Sequence, residues 1–168
     1  MKILFISEET LKQNTSLQFN IDSKLLTNLI WESQNIYIHS LVGTALYNEL
    51  ITQVSGSTVT SANATLLNEY VIPTLQAYVK FEAPIEISFK FANSALLKQT
   101  PENTESISLD DMFRIRSVFK NKAEWFAERL KDFLCANTST YPLYINPGNT
   151  SDTIKPSNSG YETGMYLD

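Results

Sequence analysis

The chain has 168 residues, 43% hydrophobic and 11% aromatic, enough to bury one sizeable core and consistent with about one domain. Its formal net charge of −5 supplies no global positive field, so tight binding to free DNA or to an anionic membrane is disfavoured. The single cysteine, Cys135, excludes an intrachain disulfide, and its place near the end of an apolar helical pattern predicts a buried thiol suited to a reducing cytoplasm.

At the N-terminus, Ile3 to Ile6 form an apolar run followed at once by Glu8 and Glu9. The run is too short for a signal peptide's apolar region or a membrane span, so it reads as a short strand or an extended lead-in to a soluble, non-secreted protein. Ser7 is placed to cap a brief helix over Glu8 to Gln13, with both acids near its positive end. Asp22 caps the first long helix, which runs to about His39, with Leu25, Leu26, Leu29, Ile30, Ser33, Ile36 and Tyr37 recurring three and four apart. Gly43 interrupts that pattern. Thr44 then caps a second helix whose stripe is Leu46, Tyr47, Leu50, Ile51 and Val54.

Ser55 to Ser61 is a loop by composition. Helical spacing resumes at Ala62 and continues through Leu66, Tyr70, Leu75, Tyr78 and Phe81, with Pro73 in its middle. Pro73 implies either one kinked helix or two helices, the second holding Pro73 in its first turn. Pro84 weakens or ends the pattern. From Ser88 to Ile107 helical periodicity is lost, and Phe89 and Phe91 alternate with Lys90 and Ala92, which predicts a two-stranded hairpin or an extended loop. Ser108, with Asp110 and Asp111 behind it, opens the strongest element. Leu109, Met112, Phe119, Ala123, Phe126, Leu130 and Phe133 hold helical spacing to Cys135, which at about 1.5 Å per residue spans roughly 40 Å. Phe113, Ile115, Val118 and Trp125 fall outside that stripe. Apolar surface in more than one direction fits the central helix of a bundle or a helix shared with a neighbouring subunit.

Residues 137–168 contain three of the six prolines, three of the five glycines and four of the eight tyrosines, but only four charged residues. Such a stretch builds no core of its own. It reads as a disordered terminus or as an extended arm that lies on another surface, with Tyr141, Tyr144, Tyr161, Met165, Tyr166 and Leu167 as the anchors on a partner. The fold class expected is mainly α: a small helical bundle over residues 1–136 with a long C-terminal helix, an extended hairpin or loop over 88–107, and an extended C-terminal arm over 137–168.

Catalytic chemistry has little to stand on. The sole histidine, His39, ends a helix, where a cap or a packed polar group is expected rather than a base. No nucleophile has a motif around it, and one His with one Cys meets no metal-ligand spacing. The acid pairs Glu8-Glu9 and Asp110-Asp111 are accounted for by helix starts. No phosphate-cradling glycine loop occurs. No catalytic residue, cofactor or metal is therefore expected. Arg114, Arg116, Lys120, Lys122, Arg129 and Lys131 lie along the last helix among acids such as Glu128, which favours a mixed solvated face over a phosphate-binding stripe. Arg114 and Arg116 are candidates for charge pairs across a subunit boundary.

The segments Leu41-Val42-Gly43-Thr44-Ala45-Leu46-Tyr47 and Asn121-Lys122-Ala123-Glu124-Trp125-Phe126-Ala127-Glu128-Arg129-Leu130 carry a family likeness, with Leu29 to Ile38, the helix through Pro73 and Ser88-Phe89-Lys90-Phe91 in order between or before them. That succession, over roughly Leu25 to Leu134, resembles the small helical head-to-tail connector proteins of tailed bacteriophages, especially the neck ring proteins of crAss-like phages of Bacteroidetes. The resemblance implies a structural subunit of a ring, usually of twelve copies, beneath the portal protein. It implies contacts with other neck and tail rings, DNA passing through the channel without sequence-specific binding, and no membrane. It places the protein in the virion neck, and in the host cytoplasm during assembly. The 88–107 stretch would face the channel, with Lys90 and Lys98 as its polar contacts. The alternative is a small helical nucleic-acid-binding or packaging accessory protein that uses the last helix as a basic face.

Overall fold

Capping side chains start four helices of the computed structural model, which describes residues 2–17, 21–92, 95–98, 108–145 and 154–156, with backbone alone over 88–92 and 95–98. The Ser7 hydroxyl accepts from the Thr10 amide at 3.1 Å and opens α1, Glu8–Asn14. Asp22 accepts from the Lys24 and Leu25 amides at 2.7 and 3.1 Å and opens α2, Ser23–Ser33. Thr60 accepts from the Asn63 amide and opens α5, Ser61–Leu66. Ser108 accepts from the Asp111 amide at 3.1 Å and donates to the Asp111 carboxylate at 2.7 Å, which opens α7, Leu109–Ala136. Each cap satisfies a donor that the first helical turn would otherwise leave open.

Two helices carry one residue too many for an uninterrupted 3.6-residue repeat. After α2 the chain widens into a π turn over Gln34–Ile38, in which the His39 amide donates to the Gln34 carbonyl five residues back, and then continues as α3, His39–Val42. After α5 a second π turn covers Leu67–Val71, and the Ile72 amide donates to the Leu67 carbonyl before α6, Ile72–Ser88, begins. Pro73 thus follows a turn that is already wide and sits second in α6, so the helix neither breaks nor restarts from a loop. Its missing N–H orphans the Glu69 carbonyl, and Arg129 of α7 supplies a donor there at 2.9 Å. Pro84 lies inside α6 and does not end it.

Gly43, at φ +78°, separates α3 from α4, Thr44–Ser55, in a conformation costly for any residue with a Cβ. Gly43, not Thr44, is the N-cap, and Thr44 is the first residue of α4. The lead-in before Ser7 is irregular backbone with Phe5 and Ile6 buried, not a strand. The stretch after α6 contains a hairpin of β1, Phe89–Ala92, and β2, Ala95–Lys98, antiparallel with Phe89 opposite Lys98 and Lys90 opposite Leu97.

The molecule is mainly α, a small bundle in which α6 packs against both α2 and α7. Its single core unites Leu26, Leu29 and Ile30 of α2, Leu75 and Val79 of α6, and Ala123, Ala127, Leu130 and Leu134 of α7. The last four follow each other at spacings of four, three and four: Ala123 and Leu130 are on the expected stripe, while Ala127 and Leu134 take the buried places expected of Phe126 and Phe133. Small residues at 123 and 127 bring α7 close to α6, so close that Thr74 donates to the Phe126 carbonyl at 3.2 Å while also reaching the Tyr70 carbonyl. That rotation turns Cys135 to solvent, against the buried thiol expected, and leaves Leu109 53% exposed.

Candidate assembly surfaces

The residues nominated as anchors of an outreaching arm divide between two locations. Tyr141 and Tyr144 are buried in the chain's own core. A turn over 137–140 leads into the short α8, Pro142–Ile145, and the Tyr141 hydroxyl donates to the Ala62 carbonyl at 2.8 Å, while its ring packs beside Phe133. Burial, and secondarily the nearby Cys135 side chain, pushes the Tyr144 phenol well above its ordinary value. Farther on, residues 154–156 return to the Gly43 junction. The Thr44 amide donates to the Ile154 carbonyl at 3.0 Å, and the Ile154 amide donates to the Thr44 hydroxyl at 2.9 Å. A Cβ at Gly43 would meet the Pro156 ring at 2.8 Å, so the glycine is needed for this strap as well as for its φ. His39 stacks on Tyr47 and shares a hydrogen bond with the Thr44 hydroxyl, the packed polar group expected of it.

The expectation that the whole of 137–168 gains order from a neighbour, and that Tyr141 and Tyr144 touch a partner, is therefore corrected. Aromatic pairs within the chain offset the entropy of ordering 137–145. Tyr161, Met165, Tyr166 and Leu167 lie outside the described residues.

Arg116 is likewise an internal residue. It forms an ion pair with Glu82 of α6 at 2.8 Å, and its guanidinium lies 4.1 Å from the Phe81 ring centre. Glu82 also accepts from the Tyr37 hydroxyl, and Tyr37 stacks on Tyr78 with ring centres 4.0 Å apart. This chain of contacts ties α6 to the π turn on one side and to α7 on the other, so the proposed intersubunit pair is replaced by an intrachain one. Burial, reinforced by the Glu82 hydrogen bond, raises the Tyr37 phenol far above its ordinary value. Tyr78 is pushed up to about 12, mainly by burial and then by Glu124 and Glu128. Arg114 is exposed and makes no ion pair among the described residues. Lys90 and Lys98 lie on β1 and β2 but are not register partners.

Two apolar surfaces remain open. On α7, Phe113, Ile115, Val118 and Trp125 are 55, 40, 52 and 60% exposed, and Val118 and Trp125 are set on the side turned away from the core stripe. On the first long helix, Trp31 and Ile36 are exposed, the former under the Lys2 ammonium at 4.4 Å. The two surfaces belong to different helices, both of which pack on α6. A third feature is a cleft of about 190 Å³ bounded by the end of α1, by α6 and by α7, with Lys80 and Lys122 at its edge.

Sequence reasoning missed the residue that fastens the N-terminal lead-in. Gln34 is fully buried, accepts from the Phe5 amide at 2.9 Å, and donates to the Ile3 carbonyl and the Tyr47 hydroxyl at 3.1 and 3.0 Å. The available signal was the polar trio Ser33-Gln34-Asn35 breaking into an apolar stripe. Glu82 and Lys80 carried no local signal, because their roles come from α7.

The arrangement is that of a small helical bundle with open apolar flanks. Among the described residues no group of three or more His, Cys, Asp or Glu side chains is gathered to hold a metal, and no helix is long and apolar enough to cross a membrane. The chain belongs to a family of unknown function (DUF6712), whose model matches residues 38–154, from the π turn before α3 to the strap at Ile154. No curated protein and no solved structure matches it.

Proposed function

We propose that this chain is a structural, non-enzymatic subunit of the ring that joins the portal and head of a tailed bacteriophage to its tail, and that it forms part of the DNA channel. The observation that carries the reading is the outward side of α7, where Val118 and Trp125 stand 52 and 60% exposed, with Phe113 and Ile115 exposed on its flanks, on a helix whose other face is already in the core. Exposed apolar patches rimmed by polar residues mark contact surfaces. A ring needs a different patch on each side of every subunit, and the exposed apolar residues on α7 and on the first long helix, at Trp31 and Ile36, are candidates for such a pair. The resemblance over Leu25 to Leu134 supplies the particular assembly, with portal protein and further neck or tail rings as partners. A net charge of −5 suits a channel through which DNA slides rather than binds.

The nucleic-acid-binding alternative draws less support, because the basic residues of α7 are largely engaged. Arg116 pairs with Glu82, Lys120 with Glu124 and Lys131 with Glu128, while Arg129 binds the Glu69 carbonyl and covers the Tyr70 ring. Electron microscopy of purified virions tests the proposal. Density for this chain is expected as a ring in the neck, and its absence from the neck would overturn the assignment. Salt-dependent DNA binding by the isolated chain would favour the alternative.

A further inference from the structure

The cleft between α6 and α7 holds two cations and an amide donor without an acidic partner. Lys80 and Lys122 form no ion pair among the described residues, and neither has an acid three or four positions away on its own helix. The Lys80 ammonium instead lies 5.0 Å from the centre of the Phe119 ring. Gln76 contributes a buried side-chain nitrogen that has no hydrogen-bond acceptor. Asn14 and Thr15 line the cleft at the end of α1, and the rest of the wall is apolar, with Phe119, Phe126, Pro73 and Ala77 facing the same space. A buried donor left without an acceptor is costly unless something fills the site. A free phosphate would satisfy the cations and leave the aromatic wall wet. The site fits a peptide that places carboxylates next to aromatic or aliphatic side chains.

Residues 157–168 of this chain have that composition. They contain Glu162 and Asp168, Tyr161, Met165, Tyr166 and Leu167, and no lysine or arginine. They follow the strap that fixes Pro156 against Gly43, and the ten residues after Pro156, up to Tyr166, can span at most about 35 Å, enough to reach a neighbouring copy. We propose that segment 157–168 of one copy docks in the Lys80/Lys122 cleft of the next, its acids meeting the two lysines and its Tyr166-Leu167 pair meeting the aromatic wall. The inference rests on the ring reading, and it confines the donated arm to residues beyond Pro156. The contact is heterologous, since every copy donates a segment from one place and receives one at another.

Charge exchange between full-length chains tests it. One variant carries Lys80→Glu and Lys122→Glu, neither of which is a core position, and the other carries Glu162→Lys and Asp168→Lys. Sedimentation equilibrium is expected to show each variant alone associating about tenfold or more weakly than wild type, because like charges face each other at every junction. An equimolar mixture restores association to within about threefold of wild type, since acidic clefts then receive basic segments and basic clefts acidic ones. Restoration in a chain carrying all four changes, without restoration in the mixture, would mean that the segment occupies its own cleft, and would overturn the proposal. Undiminished association of both variants overturns the docking site while leaving the ring reading intact. A wild-type chain that remains monomeric at every concentration overturns both. Thermal melting of both variants separates lost docking from lost folding.

Discussion

The two faces of α7 have opposite fates. Along one, Ala123, Ala127, Leu130 and Leu134 are at most 4% exposed and lie against the rest of the bundle. Along the other, Val118 and Trp125 stand half exposed or more, with nothing of the described chain over them. Helices in small bundles ordinarily turn a polar stripe to water. A helix with apolar groups on both sides divides its work, one face holding the fold and the other left for a second surface. Its ends and edges are fixed by polar contacts, the reciprocal Ser108–Asp111 cap at the start and the Arg116–Glu82 and Arg129–Glu69 bonds along the rim.

Substitutions that separate the faces sharpen this contrast. Leu130→Ala on the inner face should lower stability by about 2–5 kcal/mol, because a fully buried leucine leaves a cavity that rigid neighbouring helices cannot close. Denaturant unfolding monitored by circular dichroism checks it. Alkaline pH should act on the inner side as well. The Tyr78 phenol titrates near 12 when folded and near 10 when unfolded, so its stabilising effect is complete below about pH 10 and is lost as pH rises toward 12. Unfolding free energies measured between about pH 9 and pH 12 should therefore fall, and Tyr78→Phe should flatten the slope. A slope unchanged by that substitution would show that burial of Tyr78 is not its cause. At the rim, Arg129→Ala should cost about 1–2 kcal/mol, since it leaves the Glu69 carbonyl without a donor and uncovers the Tyr70 ring. Arg129→Lys should recover only part of that, as a test of the guanidinium's double role. On the outer face, Trp125→Ala should change stability by no more than about 0.5 kcal/mol, apart from its edge contact with Phe126.

The helices were legible in the sequence where their causes are local. Ser7, Asp22 and Ser108 cap helices as their positions imply, and Gly43 breaks one because only a glycine accepts φ +78° against a proline ring. The mainly helical class, the long last helix and the hairpin after Ser88 followed from periodicity and its loss. What stayed hidden depends on distance or on a single inserted residue. The π turns shift the register by one position, so Gln34 reaches the core and Ile36 reaches solvent without any break in helical propensity. The true stripe of α7 runs through two alanines because close approach to α6 outweighs the burial of larger side chains at Phe126 and Phe133. Tyr141 and Tyr144 looked like anchors for a partner because nothing nearby in sequence reveals that Ala62 and Phe133 receive them. Of the candidate surfaces, Phe113, Ile115, Val118 and Trp125 were legible as apolar residues off the main stripe. The cleft was not, since Lys80 and Lys122 meet only through tertiary packing.

The claim on which the account turns is that the outer face of α7 is a contact surface between subunits. Sedimentation equilibrium of a chain carrying Val118→Asp and Trp125→Asp, compared with wild type and with its own melting temperature, addresses that claim most directly. The account predicts a folded protein with an unchanged melting temperature that no longer associates. Association equal to wild type, with the helix still folded, would contradict it.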